Sequence, residues 1–450
     1  MFYHPKIKMQ KAIAMAVPVV IAFHYIWSIL AVGDVTILHE DTTVHDICLV
    51  APWNGQYLTD YHKLMFFTAN NTKAGKMIFV HEGVALSSFK EFTNVQFLNV
   101  HSISKFVAYH MCRYYSYKPY SASCIALTKA LDYSDRHVWA SSLAQYRMLL
   151  GYAMQEWIGP SRCKSWAFVD HDIIFGDIEG YIRDNQYYWD SDVVGFATHS
   201  TSRTLFTPGQ FTAHIQTKRP EYVNSLFSQC AMYSSGEAMI RTLSGGDNFY
   251  ALDEGCYGTS IMKGPQVYTH FVYQDSIYSD KEFFIWINGR LLSFSNDEVF
   301  DYQNKTRVYF DIKPTIPPQL ESIIPISIHL NASDTIYDCA HWIPHQYNLC
   351  FDPNNWDDLQ TVYSNYSLTY GPMRIENSQM EIVGGYEHPE AFKEHAFLHL
   401  HSLKDRLDYR HFDSSKENFI LVKESGQIIS FDNGLVGLTE KMNWILSTII

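Results

Sequence analysis

Two carboxylates lie one residue apart in the stretch SWAFVDHDIIFGD, where an apolar run of strand character ends at Asp170 and Asp172. Two acids this close repel each other unless a cation lies between them. Mg²⁺ and Mn²⁺ favour oxygen ligands, and the exit of a buried strand is a common place for such a pair. The spacing therefore predicts a divalent metal site that could hold a phosphate. The alternative is a solvated loop or a helix N-cap.

A second pair with the same spacing, Asp190 and Asp192, stands before the apolar run VVGFA rather than after one. Pairs of this kind arise by chance in a chain of this composition. We therefore interpret Asp190 and Asp192 as part of a turn between a helix and a strand.

Further candidates lie far from the acids in the sequence. In FLHLHSLK, His399 and His401 alternate with an apolar residue, so that on a strand both would face one side. A neutral imidazole at His399 could complete a metal site, and Lys404 could neutralise a diphosphate. A structural role for the two histidines is the alternative.

Two more candidate sites carry acidic or basic groups. In ALDEGCYG, either Asp253 or Glu254 could accept a proton from an attacking hydroxyl, or could instead cap a helix. Arg147, on the helix before the acid pair, could reach a phosphate or could lie on a solvated helix face.

Short apolar strands alternate with helical patterns through the first part of the chain. Strands are predicted at 46–53, 75–83, 94–100 and 192–197, and helices at 57–71 and 136–158. This alternation indicates an α/β fold with a mostly parallel sheet flanked by helices. Beyond residue 280, Asn288-Gly289 between apolar runs predicts a hairpin, and 313–390 forms a loop- and β-rich insertion.

The N-terminus differs from the rest. Residues 12–32 form an apolar run, preceded by lysines and followed by acids, which predicts a transmembrane signal anchor with a cytoplasmic tail at 1–11. A cleaved signal peptide is the alternative. Either interpretation places the body, 46–435, in the lumen of the secretory pathway, in the Golgi or the ER.

Cysteines and sequons agree with a lumenal body. The eight cysteines allow up to four disulfides, and Cys339–Cys350, which would close a short loop, is the pair we favour. Sequons that could carry N-linked glycans occur at four positions. These are Asn70, Asn304, Asn331 and Asn365.

Composition restricts the partners. A net charge of −13 argues against nucleic acid as a ligand, because such binding needs a basic surface. An anionic substrate would need the positive charge of a metal. The sequence has neither a Walker pattern nor a GxGxxG motif that opens a helix after a strand.

The ordered set of CLVAPWNG, WAFVDHDIIFGDI, GQFTAH, LDEGCYGTSI, WINGRL and FLHLHSLK resembles nucleotide-sugar glycosyltransferases of the GT-A fold. The resemblance implies a GT-A-like, Rossmann-like sheet and Mn²⁺ or Mg²⁺ held by Asp170, Asp172 and His399. Lys404 would contact the donor phosphates, the strand exit near Ala51 would meet the nucleotide, and Asp253 or Glu254 would lie on the acceptor side.

The resulting expectation is a type II membrane glycosyltransferase that moves a sugar from a nucleotide-sugar donor to a glycan or glycoconjugate acceptor. Two alternatives stay open. One is a lumenal binding protein on a degenerate transferase fold. The other is a glycoside hydrolase that uses paired carboxylates.

Overall fold

The structure, a computed structural model, describes most of the chain between residues 43 and 432. The described ranges are 43–71, 75–84, 92–137, 147–183, 186–197, 204–205, 209–244, 256–263, 269–273, 283–294, 328–331, 336–340, 347–351, 373–376, 379–382, 393–395 and 397–432. The predicted tail and anchor, 1–11 and 12–32, lie outside these residues.

Strands are numbered here in chain order over the described residues. They are β1 His45–Trp53, β2 Lys76–His81, β3 Val95–Asn99, β4 Cys163–Val169, β5 Ile173–Phe175, β6 Val193–Ala197, β7 Thr204–Leu205, β8 Phe211–Ile215, β9 Thr269–Tyr273, β10 Phe283–Ile287, β11 Arg290–Phe294, β12 Ile328–Asn331, β13 Ile336–Ala340, β14 Tyr347–Phe351, β15 Met373–Glu376, β16 Gln379–Ile382, β17 Lys393–His395, β18 Phe397–His399, β19 Asp408–His411, β20 Asn418–Val422 and β21 Gln427–Phe431.

The α-helices are numbered in the same way, and several are short. They are α1 Asp60–Asn71, α2 Ile103–Tyr114, α3 Ala122–His137, α4 Leu150–Ala153, α5 Gln155–Ile158, α6 Ile178–Arg183, α7 Gln186–Asp190, α8 Pro220–Asn224, α9 Gly236–Ser244 and α10 Gly258–Lys263. Short 3₁₀ helices occupy Arg147–Leu149, Leu226–Gln229, Ala231–Tyr233 and His401–Arg406.

The central sheet has ten strands in the order β12-β16-β15-β9-β6-β8-β4-β1-β2-β3. Strand β1 pairs in parallel with both β2 and β4, β2 with β3, and β6 with β9. Strand β8 is antiparallel to its neighbours β4 and β6. Six of the seven strands from β9 to β3 therefore point the same way, which confirms the predicted α/β fold with a mostly parallel sheet.

Strand β1 is buried on both of its faces. Cys48 and Val50 join one buried apolar cluster, whereas Ile47, Leu49 and Ala51 join another. Successive side chains on a strand point to opposite faces, and both sets are fully or almost fully buried. A strand buried on both faces has the continuous apolar sequence typical of parallel sheets.

A second, six-stranded sheet has the order β17-β11-β10-β20-β21-β19. Its β10–β11 hairpin turns at Asn288 and Gly289, whose φ angles are +51° and +79°. Positive φ at both central residues is the geometry that an Asn-Gly turn favours. The predicted hairpin is confirmed.

The stretch 313–390, predicted as an insertion, contributes strands wherever the structure describes it. Strands β12, β15 and β16 extend the central sheet through the pairing of β15 with β9. Strands β13 and β14 form a small separate sheet with β7. The described parts of this stretch are therefore tied to the body by strand pairing.

The helix predicted at 136–158 is not one continuous α-helix over its described residues, 136–137 and 147–158. The described residues from 147 onward form one turn of 3₁₀ helix followed by α4 and α5. Gly151 lies in α4, where a Cβ atom would come within 2.2 Å of the indole of Trp166. The close approach of this helix to the sheet requires glycine at that position.

Three disulfides lie among the described residues: Cys48–Cys163, Cys112–Cys124 and Cys230–Cys256. The first joins β1 to β4 and the second joins α2 to α3. For the predicted pair Cys339–Cys350, the structure describes only the backbone, which places the two residues on the neighbouring antiparallel strands β13 and β14. That pairing stays a prediction.

No helix among the described residues is both long enough and apolar enough to span a membrane. Since 12–32 lies outside them, the predicted anchor stays a prediction.

Candidate metal centre

The acid pair lies where β4 leaves the central sheet. Every residue of β4 except Lys164 is buried, and the chain emerges at Asp170, whose backbone N–H donates to the carbonyl of Gln210 beside β8. The Asp170 side chain is 22% exposed and that of Asp172 is 3% exposed. The sequence prediction of carboxylates at a strand exit is therefore matched by the structure, with one acid facing solvent and the other buried.

The segment after the acids is held from three sides. Strand β5 pairs antiparallel with β18, so that His399 lies opposite Ile173. The Phe175 N–H donates to Thr68 Oγ1 at 3.1 Å, and Trp286 Nε1 donates to the Phe175 carbonyl at 2.8 Å. These contacts fix the backbone that follows the acid pair against α1 and the second sheet.

The C-terminal histidine reaches the acids through this strand pairing. His399 Nε2 lies 3.2 Å from Asp172 Oδ1 and 3.8 Å from Asp170 Oδ2. The Leu400 N–H also donates to the Asp172 carbonyl at 2.8 Å. The strand ends at His399, and a 3₁₀ helix begins at His401. His401 therefore does not continue the strand beside His399.

Each acid also contacts a cation. Arg147 Nη1 lies 2.7 Å from Asp170 Oδ1 and donates to the Gly209 carbonyl as well. Lys404 Nζ lies 2.7 Å from Asp172 Oδ2, although the two residues are 232 positions apart in the chain. Arg147 and Lys404, both predicted to contact phosphate, thus lie against the carboxylates.

The electrostatics keep the buried acid ionised. Burial alone would raise the pKa of Asp172, but the hydrogen bond from His399 and the nearby positive groups hold that pKa well below its usual range. Burial likewise opposes the charged form of His399, whereas its hydrogen bond to Asp172 and the two carboxylate charges raise its pKa. An ionised Asp172 is the state in which it can bind a metal.

The donor atoms fit a divalent ion. One ligand atom each from Asp170, Asp172 and His399 lies within 4.8 Å of the others. Neighbouring ligands of an octahedral ion with bonds of about 2.1 Å lie about 3 Å apart, and opposite ligands about 4 Å apart. Two carboxylate oxygens and an imidazole nitrogen match Mn²⁺ well, and Mg²⁺ also accepts such oxygens.

The second acid pair is built differently. Arg219 contacts both oxygens of Asp192, with Nε 2.9 Å from Oδ1. Asp190 forms an exposed ion pair with Lys218 at 2.9 Å. Among the described residues, the only group of three or more metal-ligating side chains is that of Asp170, Asp172 and His399. The interpretation of 190–192 as a structural turn agrees with this geometry.

An aromatic wall adjoins the acids, and the sequence prediction missed it. The ring of His171 lies 4.7 Å from that of Trp53 and 5.5 Å from that of His62, measured between centroids. Tyr61 stacks on His62 at 4.5 Å. We refer to Trp53, Tyr61, His62 and His171 as the aromatic wall. A signal was present, because ligands gather where parallel strands end and Trp53 is the last residue of β1.

Ala51, predicted to meet the nucleotide, lies inside β1 and is fully buried. Trp53, two residues further on, is the β1 side chain that contacts His171. The loop after it carries Tyr57, which is 77% exposed and whose carbonyl accepts from Trp53 Nε1 at 3.2 Å. The exit of β1 therefore presents aromatic rings beside the acids, and Ala51 itself lies behind them.

The predicted acceptor-side acids, Asp253 and Glu254, lie outside the described residues. The residues that follow them are described: Cys256 is bonded to Cys230, and Tyr257 Oη lies 2.6 Å from His214 Nε2 on β8. The end of this segment is thus fixed to the strand beside β4.

The predicted glycosylation sites are described unevenly. Asn70 lies at the end of α1, is half-buried, and accepts a hydrogen bond from the Asn94 N–H at 3.1 Å. For Asn331, at the end of β12, the backbone alone is described. Asn304 and Asn365 lie outside the described residues.

Comparison with known proteins gives similarity to solved structures only. No protein-family model matches the chain, and no curated protein matches it. The galactosyltransferase LgtC with donor and acceptor sugar analogues overlaps 50% of this chain and 73% of its own, at 11% identity and a TM-score of 0.28.

Two further solved structures are similar at the same level. The PaToxG glycosyltransferase overlaps 54% of this chain and 79% of its own, at 16% identity and a TM-score of 0.26. Mouse xyloside xylosyltransferase 1 in its apo form overlaps 44% of this chain and 81% of its own, at 10% identity and a TM-score of 0.23. TM-scores this low carry no argument, so the function is inferred from the geometry of the site.

Proposed function

We propose that the chain is a metal-dependent glycosyltransferase with a GT-A-like catalytic domain. It would transfer a sugar from a nucleotide-sugar donor to a glycan or glycoconjugate acceptor. The observation that carries the proposal is the meeting of Asp170 and Asp172, at the exit of a parallel-sheet strand, with His399 from the far end of the chain. In open α/β sheets, ligands bind at this edge.

Asp170, Asp172 and His399 would hold Mn²⁺ or Mg²⁺, which would supply positive charge to a diphosphate leaving group. Lys404 is 32% exposed at its side chain and can also donate to a phosphate oxygen. The aromatic wall offers flat faces for a nucleobase or a sugar ring beside the acids. Asp253 or Glu254 would serve the acceptor side.

A glycoside hydrolase fits this acid pair less well. Such an enzyme needs one protonated carboxyl group to donate to the leaving oxygen. Asp170 and Asp172 each form an ion pair, and the low pKa of Asp172 keeps it ionised. A non-catalytic nucleotide-binding protein would have the same geometry, and only an activity measurement distinguishes it from a transferase.

We further propose that the chain is a type II membrane protein of the Golgi or ER with its body in the lumen. Three disulfides among the described residues support an oxidising compartment. The apolar run at 12–32 supports the anchor.

The test is a panel of nucleotide sugars incubated with the full-length chain, with and without Mn²⁺, followed by release of the nucleotide. We expect metal-dependent release from at least one donor, and a loss of about 100-fold or more in Asp170→Asn, since losing metal stabilisation of a leaving group costs several kcal/mol. Asp190→Asn, in the second acid pair, is the matched control and should retain activity.

Two results would count against the proposal. Turnover that does not depend on metal and survives Asp170→Asn would remove the metal from the mechanism. Metal-dependent nucleotide binding without turnover of any donor, tested with acceptor glycans present, would favour the binding protein.

A further inference from the structure

Asp170 and Asp172 each direct one carboxylate oxygen to a basic side chain and the other to His399. Asp170 presents Oδ1 to Arg147 at 2.7 Å and Oδ2 toward His399 Nε2 at 3.8 Å. Asp172 presents Oδ2 to Lys404 at 2.7 Å and Oδ1 toward His399 Nε2 at 3.2 Å. We call the oxygens that face His399 the inner oxygens and the other two the outer oxygens. Each outer oxygen thus has a cation against it.

Arg147 is held firmly in this arrangement. Its side chain is 12% exposed, Nη1 also donates to the Gly209 carbonyl, and the guanidinium lies 5.7 Å from the centre of the Phe168 ring. The Asp170 N–H donates to the Gln210 carbonyl, next to the Gly209 carbonyl that accepts from Arg147. The arginine therefore holds the Asp170 carboxylate against the sheet beside β8. Lys404 is more exposed, at 32%, and contacts Asp172 from the 3₁₀ helix that follows His399.

Asp192 shows how a structural Arg–Asp pair differs. Arg219 contacts both of its oxygens at once, through Nε and Nη2. That fork leaves neither oxygen directed away from the guanidinium. At Asp170 and Asp172, Arg147 and Lys404 each lie against one oxygen, and the other oxygen faces His399 Nε2. The arrangement is suited to ligands that give one oxygen each.

We propose that Arg147 and Lys404 are positioning residues that hold Asp170 and Asp172 as one-oxygen ligands and thereby set a preference for Mn²⁺ over Ca²⁺. The inference rests on the metal site of the proposed function. Ca²⁺ takes six to eight oxygens and often binds both oxygens of a carboxylate at 2.3–2.6 Å. An ion placed between both oxygens of either acid would come close to a fixed positive charge. Mn²⁺ needs fewer ligands and accepts the imidazole nitrogen.

The experiment measures metal binding rather than activity. Mn²⁺ binding to the full-length chain, with no donor present, is followed by the electron paramagnetic resonance signal of free Mn²⁺, and Ca²⁺ is titrated as a competitor. The result is the ratio of the two dissociation constants. Removing a positive charge strengthens the binding of both ions, so the ratio isolates ligand geometry from charge.

We expect the preference for Mn²⁺ to fall by about tenfold or more in Arg147→Met and in Lys404→Met. This estimate takes as its guide the tenfold or larger effect on metal affinity that follows loss of an outer contact to a metal ligand. Lys404→Arg keeps a donor and a charge and should preserve most of the preference. Arg219→Met removes the pair at Asp192, away from the site, and should leave the ratio unchanged.

An unchanged ratio in both methionine variants would overturn the inference. If Arg147→Met does not fold, as judged by its circular dichroism spectrum, the more exposed Lys404→Met decides alone. Loss of Mn²⁺ binding in Asp172→Asn together with an unchanged ratio in every folded methionine variant would preserve the proposed metal site and reject the positioning role. Absence of Mn²⁺ binding to the wild-type chain would reject both.

Discussion

Acidification from about pH 7 to about pH 5.5 should destabilise the chain through three buried histidines, because an ordinary histidine pKa of about 6.5 lies in this interval. His62, His81 and His214 are at most 1% exposed. Burial lowers the pKa of His62 to about 3, that of His81 to about 4 and that of His214 to about 3. All three therefore stay neutral in the folded chain over this range.

The magnitude follows from proton linkage. The unfolded chain takes up protons on these residues as the pH falls through about 6.5, whereas the folded chain does not, so each histidine lowers the free energy of unfolding by about 1.3 kcal/mol. Three sites together give about 4 kcal/mol, a large part of a typical stability of about 5–15 kcal/mol. Half-buried His110, whose pKa burial also lowers to about 4, adds to this loss. His399 acts in the opposite sense, because its raised pKa adds stability as the pH falls, and offsets part of the loss.

The assay is urea denaturation of the full-length chain at both pH values, followed by tryptophan fluorescence. His81→Gln should reduce the pH dependence by about 1.3 kcal/mol, since one of the three sites no longer titrates. His101→Gln, at an exposed position, is the matched control and should keep the full dependence. A wild-type chain that is equally stable at both pH values, or a His81→Gln variant with an unchanged slope, would refute the reasoning.

Two further changes test the packing around β4. Tyr257→Phe should lower the free energy of unfolding by about 1–3 kcal/mol, because His214 Nε2 loses a buried partner at 2.6 Å. Tyr57→Phe, at a position that is 77% exposed, should have no effect in the same urea titration. Gly151→Ala should lower the melting temperature and reduce the free energy of unfolding by about 1–3 kcal/mol, since the new Cβ would lie 2.2 Å from the Trp166 indole. A melting temperature equal to that of the wild type would show that α4 can shift.

Local pattern was enough to predict much of the fold. The alternation of apolar strands with helices gave the α/β class, and Asn288-Gly289 gave the hairpin, because both signals lie within a few neighbouring residues. The acid pair could be located at a strand exit for the same reason. The choice of Asp170 and Asp172 over the second pair depended on the apolar strand before them, and the ion pairs of Asp190 and Asp192 agree with it.

Contacts between distant parts of the chain could not be predicted from these patterns. Nothing near Cys48 or Cys163 in the sequence indicates that they are bonded. Arg147 was predicted to contact phosphate, but it forms an ion pair with Asp170. The reason is that the 3₁₀ turn at 147–149 lies beside the exit of β4. The strands within 313–390 lack a local signal as strong as that of β4, and the pairing of β15 with β9 is a property of the folded sheet.

The charges of the site explain why a metal and a diphosphate would bind together. Asp170 and Asp172 are matched by Arg147 and Lys404, so these four groups sum to about zero. A chain with a net charge of −13 has no overall excess of positive charge to attract a phosphate. A divalent ion between the inner oxygens would make the group about doubly positive, which complements the two negative charges of a nucleotide-sugar diphosphate.

Each ligand would then bind more tightly in the presence of the other, since either one alone leaves charge uncompensated in a partly buried site. The matched ion pairs also make the metal-free site stable, because Asp172, at 3% exposure, is never left as an unpaired buried charge. Arg147 and Lys404 would thus stabilise the folded chain both with and without the metal. A site formed of the two acids and His399 alone would leave buried negative charge uncompensated without a metal. Under the proposed function, this arrangement would instead stay stable while a metal and a donor bind and leave.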